Sequence, residues 1–387
     1  MNPRLGRISV SLIREIAAKR KPSSIDLGLG EPTLRPAAEH LNAGITHALE
    51  HGLRYTLNAG DPVLRDAIAA HYAYPQMCAA QNVCITTGSQ EATYAVIKTV
   101  LDPQKDELLV VEPAFPSYAK MATLEGVAVR TVSLQREDDF GFDAERILSA
   151  VGERTRMIVV CSPCNPTSRV IREGAVRSIA DALLRRSGEP VWVLHDEIYR
   201  EQTFVDDAGY FARHYPHTIV TNSVSKSNAL TGLRLGWAIA PANVAAQIVK
   251  VHAWLTSCAD AFAQRVALHI FQTPGALAEH ADWYAQRRSE IVPMLQESGL
   301  PFIAPEGAFY ACVELPHGID SLGAAHRLAD EFDVIAVPGI AFGGAFRNWL
   351  RLTWVADPAG FNEGLRRIAD FARQNTQAGK RPANTAS

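Results

Sequence analysis

Short β-branched runs alternate with stretches of helical period through the middle of this 387-residue chain. The runs fall at residues 83–86, 107–111, 128–132, 157–160, 191–195, 218–222 and 236–240. Patterns of helical period, such as 90–100 and 174–185, lie between several of them. Adjacent parallel strands need a long crossover, usually a helix, so the alternation predicts an α/β fold: a mostly parallel sheet flanked by helices. Ligands of such a sheet sit beyond the strand ends, in loops. A chain of this length usually divides in two. Residues 54–279 are expected to form the large domain. Residues 1–53 and 280–387 read as a smaller α+β domain built from both chain ends. Its expected members are a helix around 283–297, strands near 309–314, 334–337 and 349–355, and a last helix near 361–373. The tail after about Gln374 has few core-forming residues and is expected to be disordered.

Four stretches place chemistry at strand ends. The strand at 218–222 runs into Ser223-Val224-Ser225-Lys226-Ser227-Asn228, with Arg234 eight residues beyond the lysine. A lysine in a small-residue loop past a strand end can enter a cleft as a nucleophilic amine, and such amines form Schiff bases with carbonyls. The fork of Arg234 can grip a phosphate. Thr86-Thr87-Gly88-Ser89-Gln90-Glu91 turns a strand into a helix, whose first N–H groups form an anion site. Ser162-Pro163-Cys164-Asn165-Pro166-Thr167 would hold the Asn165 amide at the sheet ends. His195-Asp196-Glu197-Ile198-Tyr199 closes another strand with an aspartate that can pair with a cationic ring nitrogen and a tyrosine that can donate to a phenolate. Taken singly, each has an ordinary reading: a surface lysine, a capped helix, a proline turn, a solvated strand end.

In this order the four stretches resemble the fold type I enzymes that use pyridoxal 5′-phosphate (PLP), specifically the class I/II aminotransferase family. The resemblance covers nearly the whole chain. It takes in Gly28-Leu29-Gly30-Glu31-Pro32, Tyr55-Thr56-Leu57-Asn58-Ala59-Gly60 and Glu112-Pro113-Ala114-Phe115-Pro116-Ser117-Tyr118. Pro305-Glu306-Gly307-Ala308-Phe309-Tyr310, Pro338-Gly339-Ile340-Ala341-Phe342-Gly343 and Leu350-Arg351-Leu352-Thr353 complete it.

The resemblance implies an aminotransferase that moves an α-amino group from an amino acid to a 2-oxo acid, passing through a pyridoxamine form of the cofactor. It implies three catalytic residues: Lys226 as the Schiff-base lysine and proton shuttle, Asp196 at the pyridine nitrogen, and Tyr199 at the phenolic oxygen, which Asn165 would also bind. It implies Phe115 stacked on the ring, and Gly88, Ser89, Gln90, Ser223 and Arg234 around the phosphate. Tyr55 would reach the phosphate of a neighbouring subunit, which implies a homodimer with shared active sites. Gly30, Asn165 and Arg351 would receive the substrate carboxylate. Ser168, His195, Asn228, Leu233 and Leu34 depart from the family's usual residues, and none of these departures removes a cofactor contact. A diacid substrate would want one more cation, for which Arg35 is a candidate.

Another PLP-dependent reaction on the same scaffold, whether β-elimination, decarboxylation, cyclisation or oxidation, would share Lys226, Asp196 and Arg234. A non-catalytic sensor would need a DNA-binding segment, and too few residues precede Leu27 for one. With 38 basic and 41 acidic residues the chain has no electrostatic drive toward nucleic acid or an anionic membrane. No apolar run is long enough to span a bilayer, and no apolar signal core opens the sequence, so the cytosol is the expected compartment. Cys161 and Cys164 form a lone CxxC, weak evidence for a metal, and read as two cysteines at the end of a buried strand. His47-Ala48-Leu49-Glu50-His51 spells a zinc-peptidase motif without a third ligand, and Gly52 reads as the cap of that helix.

Overall fold

The structure, a computed structural model, describes residues 3–355 and 357–378. Its strands, numbered along the chain, are β1 (Ile25–Asp26), β2 (Val83–Thr86), β3 (Glu107–Glu112), β4 (Ala128–Ser133), β5 (Thr155–Cys161), β6 (Trp192–Asp196), β7 (Thr218–Ser223), β8 (Gly236–Ile239), β9 (Phe302–Ile303), β10 (Tyr310–Glu314), β11 (Val334–Ile335), β12 (Val337–Pro338) and β13 (Trp349–Thr353). Seven of them form the main sheet, in the order β2-β8-β7-β6-β5-β3-β4. All neighbours in it are parallel except β8, which runs against both β2 and β7.

The sequences of these strands explain their places. Strands β3, β5, β6 and β7 are buried almost throughout, as a sheet covered on both faces requires. Successive side chains go to opposite faces: Leu194 joins one core cluster and Val193 another. Burying each of these is worth about 2 kcal/mol. Strand β4 exposes Arg130 and Thr131, and a charged, polar edge discourages further strand pairing.

All seven predicted strands of the main sheet form, within two residues of the expected ends. The chain ends supply two small sheets. In one, β1 pairs in parallel with β11, and in the other the order is β12-β13-β10-β9, all antiparallel. The single strand expected at 334–337 is therefore two strands in different sheets. Pro338 lacks an N–H and ends the short edge strand β12. The last helix is longer than expected, Pro358–Ala378, and opens on a proline whose missing N–H costs nothing at a first helical position. It absorbs the start of the expected tail; residues 379–387 lie outside the described residues. No helix among the described residues is long and apolar enough to cross a membrane.

The helix Ala38–His51 packs on the helix Ala261–Gln272, not on the small sheets; a Cβ at Gly44 would meet Phe262 and Val266 at 2.8 Å. It ends where expected. Gly52 caps it at φ 73°, and the His47 and His51 rings stack 4.5 Å apart. Cys161 closes β5 and Cys164 follows in the loop; both are buried free thiols.

Candidate active site

The strand ends converge on a cavity of about 670 Å³ whose lining includes Gly30, Ser89, Gln90, Phe115, Asn165, Asp196, Tyr199, Lys226, Arg234 and Arg351. Another cavity, about 860 Å³, lies against Glu314 and Arg136, which are already paired with each other.

Lys226 sits on the one-turn helix Val224–Ser227 that follows β7. Gln202 Nε2 and Tyr284 Oη hold its carbonyl from the side, at 3.0 and 3.3 Å. Its Nζ donates to the Gly30 carbonyl oxygen at 2.6 Å. Burial first, and then the Arg351 and Arg234 charges, pull the amine down to about 8 against an opposing effect of Glu31. A buried amine whose countercharge is outweighed in this way is a nucleophile near neutral pH.

Asp196, the last residue of β6, is buried among the same groups. Its Oδ2 accepts from the Tyr118 hydroxyl at 2.6 Å and its Oδ1 from the Ile198 N–H at 3.2 Å. Burial raises its pKa despite these donors. The site thus holds a carboxylate that a positive partner would relieve.

At the other end of the cavity, Gly88 caps the helix Ser89–Val100 at φ 80°, where Ser89 and Gln90 supply N–H groups that lack helical partners. A Cβ at Gly88 would lie 2.6 Å from Arg234 Nη2, so the bare glycine lets the guanidinium close over the helix end. Arg234 is itself anchored through Nη1 to the Thr231 carbonyl oxygen at 2.7 Å. Arginine and helix start together make an anion cradle. Arg351, buried on β13, reaches Asn165 Oδ1 at 3.1 Å and the Gly28 carbonyl oxygen through its two terminal nitrogens. Among the described residues its Nε is buried without a hydrogen-bond partner. A guanidinium with an unmet donor in a cavity can receive a carboxylate.

The residues present fit PLP. A buried carboxylate suits a pyridinium nitrogen, an amine of lowered pKa suits an aldehyde, and the cradle suits a phosphate. The sequence-predicted residues gather here with few exceptions. Gly88 stands behind the lining. Ser223 is buried outside it, its hydroxyl oxygen accepting from the Ser225 N–H at 3.1 Å; Ser225 lines the cavity in its stead. Tyr55 is 91% exposed and borders a separate cavity with His47, His51 and Arg265. Arg35 is exposed and outside the lining.

Sequence reasoning missed Tyr118, Ser225 and Tyr310. Tyr118 stands three residues after Phe115, one helical turn on, and that spacing could have found it. Tyr310 ends the quoted Pro305–Tyr310 stretch but meets the site only through the small antiparallel sheet.

The family model for "Aminotransferase class I and II" matches residues 22–368. The aspartate aminotransferase of Pyrococcus horikoshii is 31% identical over 378 residues, covering 93% of this chain and 94% of that one. A probable N-acetyl-LL-diaminopimelate aminotransferase of Bacillus subtilis is 32% identical over 397 residues, covering 98% and 97%. Among solved structures, the aspartate aminotransferase of Thermotoga maritima superposes with a TM-score of 0.89 at 26% identity, covering 96% of this chain and 100% of that one. That of Thermus thermophilus with maleate gives 0.88 at 28% identity, covering 96% and 99%.

Proposed function

The chain belongs to the class I and II aminotransferase family, and from that membership we propose a role for each residue of the cavity. The protein is a PLP-dependent aminotransferase acting on amino acids and 2-oxo acids. One observation carries the residue assignment: a single cavity gathers Lys226, Asp196, Asn165, Tyr199, Arg234 and Arg351 from separate stretches of the chain.

When bound, PLP supplies a conjugated ring that accepts the electron pair released as the substrate's Cα–H bond breaks. Lys226 would hold it through Nζ, and the same amine, once free, would be placed to take up the substrate's Cα proton and give it back. An amine with a pKa near 8 can do both at neutral pH. Asp196 keeps the ring nitrogen protonated, and Tyr118 orients that carboxylate. Asn165 and Tyr199 donate to the phenolic oxygen, and Phe115 covers the ring face. The helix start at Gly88, Ser89 and Gln90 binds the phosphate with Arg234. Ser223 acts there through Ser225, whose N–H it caps. Arg351 and the Gly30 backbone receive the α-carboxylate.

We also propose a homodimer in which Tyr55 completes the neighbour's phosphate site. Tyr55 and Leu57 lie on an exposed loop that also carries Leu53, and Asn58 ties this loop to the Ser257 carbonyl oxygen at 2.6 Å. That bond sets it beside the exposed Trp254 and Leu255. Exposed apolar groups of this size, side by side, favour a protein partner. The small domain is best drawn from residues before about Ala37 together with 280–387, since the helix Ala38–His51 packs on the large one.

The test is the visible spectrum of the PLP-loaded protein beside Lys226→Ala. Borohydride should fix the cofactor on residue 226 of the wild type, amino acids should shift its band, and 2-oxo acids should restore it. Cofactor trapped equally in the alanine variant would reject Lys226 as its holder.

A further inference from the structure

Tyr310 opens β10 and lines the cavity. Its hydroxyl lies 2.8 Å from the Tyr199 hydroxyl. Both rings are buried, and they meet edge to face with centroids 5.7 Å apart. Burial pushes both phenols up, so each keeps its proton. Two hydroxyls in contact share one hydrogen bond, in which one donates and the other accepts.

The surroundings decide the direction. Among the described residues the Tyr310 hydroxyl has no hydrogen-bond partner except Tyr199. On its other side lies the bare backbone of Gly30, where a Cβ would stand 2.3 Å from that hydroxyl. Over its ring sits the Arg351 guanidinium, 4.4 Å from the centroid, a cation that accepts nothing. The Tyr310 proton therefore has one acceptor, the Tyr199 oxygen. Tyr199 in turn faces the cavity with its own proton to give.

Resting on the reading that Tyr199 donates to the phenolic oxygen of the cofactor, we propose that Tyr310 is a positioning residue which fixes and strengthens that donation. By donating to the Tyr199 oxygen it forbids the reverse arrangement, in which Tyr199 would spend its proton on Tyr310. Serial hydrogen bonds also polarise one another, so Tyr199 becomes the stronger donor. Gly30 is part of the device, because any side chain there would displace the Tyr310 hydroxyl.

A donor at the phenolic oxygen draws negative charge away from the neighbouring nitrogen of the Lys226 linkage. That nitrogen then releases its proton at lower pH. The pH midpoint of the visible band of the loaded protein therefore reports the donation without any turnover. Tyr199→Phe should raise the midpoint by about one pH unit, and Tyr310→Phe by roughly half a unit. The double variant should sit no higher than Tyr199→Phe alone, because Tyr310 acts through Tyr199. Should Tyr310→Phe shift the midpoint equally in both backgrounds, or not at all beside a shifted Tyr199→Phe, the relay is overturned while the role of Tyr199 stands. An unmoved midpoint in Tyr199→Phe would remove Tyr199 from the cofactor and the relay with it. The melting temperature of each cofactor-free variant identifies any that has lost its fold. In that event Gly30→Ala, which pushes the Tyr310 hydroxyl aside, must raise the midpoint or the proposal fails.

Discussion

Asp196 and Glu197 are neighbouring carboxylates at one strand end, both buried, and they titrate in opposite directions. Asp196 follows Leu194 to the cavity face, where burial raises its pKa and its donors do not cancel the effect. Glu197 goes to the other face. Burial pushes it up as well, but Arg200, His195 and Tyr74 outweigh that and hold it at about 2. Its Oε2 accepts from Arg200 Nη1 and from the Tyr74 hydroxyl at 2.6 Å each, and the Arg200 guanidinium stacks on Tyr210 at 4.1 Å. The His195 Nδ1 lies 3.1 Å from Glu197 Oε1, near enough to pair but out of line for a hydrogen bond. The cluster behind the sheet answers its charges internally. The cavity in front keeps carboxylates, an amine and guanidinium groups facing one space, with donors to spare. A site built for a guest differs from a structural network in what it leaves unanswered.

Mutation should separate the two faces. The largest effect belongs to the front. Asp196→Asn should cost turnover about a hundredfold to a thousandfold, since the ring nitrogen loses its fixed countercharge. Its melting temperature should hold or rise, because a strained buried charge is gone. A fall in stability without a fall in kcat would erase the contrast.

The next effect belongs to the back. Arg200→Met leaves Glu197 buried without its main partner and should cost about 3 kcal/mol in denaturant unfolding, with a much smaller change in turnover of the folded fraction. Unchanged stability would mean that the rear cluster is no more self-contained than the front.

The smallest effect sharpens the comparison within the rear cluster. Glu201 has its carboxylate oxygens buried, and burial raises it to about 7 although Arg200 pulls the other way. Its folded pKa stands above the ordinary carboxylate value. The folded state therefore holds the proton through that window, and stability falls as pH rises from about 4.5 to 7. Glu201→Gln should gain about 1–3 kcal/mol at pH 8 and almost nothing at pH 4.5. Melting curves at the two pH values measure it, and an equal gain at both would refute the titration.

The seven strands of the main sheet and most of the cavity residues were legible because both depend on short-range pattern. A short continuous apolar run marks β3 or β6, and Lys226, Asp196 and Asn165 each sit at or just past the end of such a strand. Spatial order was not legible: nothing local in Gly236–Ile239 says that β8 runs against its neighbours. The split at Ala336 was hidden for the same reason, since one apolar run served two sheets. Ser223 matched its motif, yet its hydroxyl is taken by a cap that only coordinates reveal. Ser168 kept a left-handed backbone, φ 59°, where glycine is usual. Its Oγ donates to the Tyr310 carbonyl oxygen at 2.8 Å, a compensation invisible in the motif itself. Tyr310 itself needed the pairing of β10 with β13 to bring it beside Tyr199.

The clasp between Gly28 and Arg351 joins residues 323 positions apart in sequence. At ordinary rates of synthesis the ribosome needs roughly 20–60 s to travel that distance. The strands of the main sheet have all emerged well before then, so the lysine loop and the phosphate cradle have time to form on a nascent chain. The clasp does not, because its arginine is made long after its glycine. During that interval Leu27 and its neighbours wait without their partner strand, an apolar segment that a chaperone would meet before the rest of the fold does.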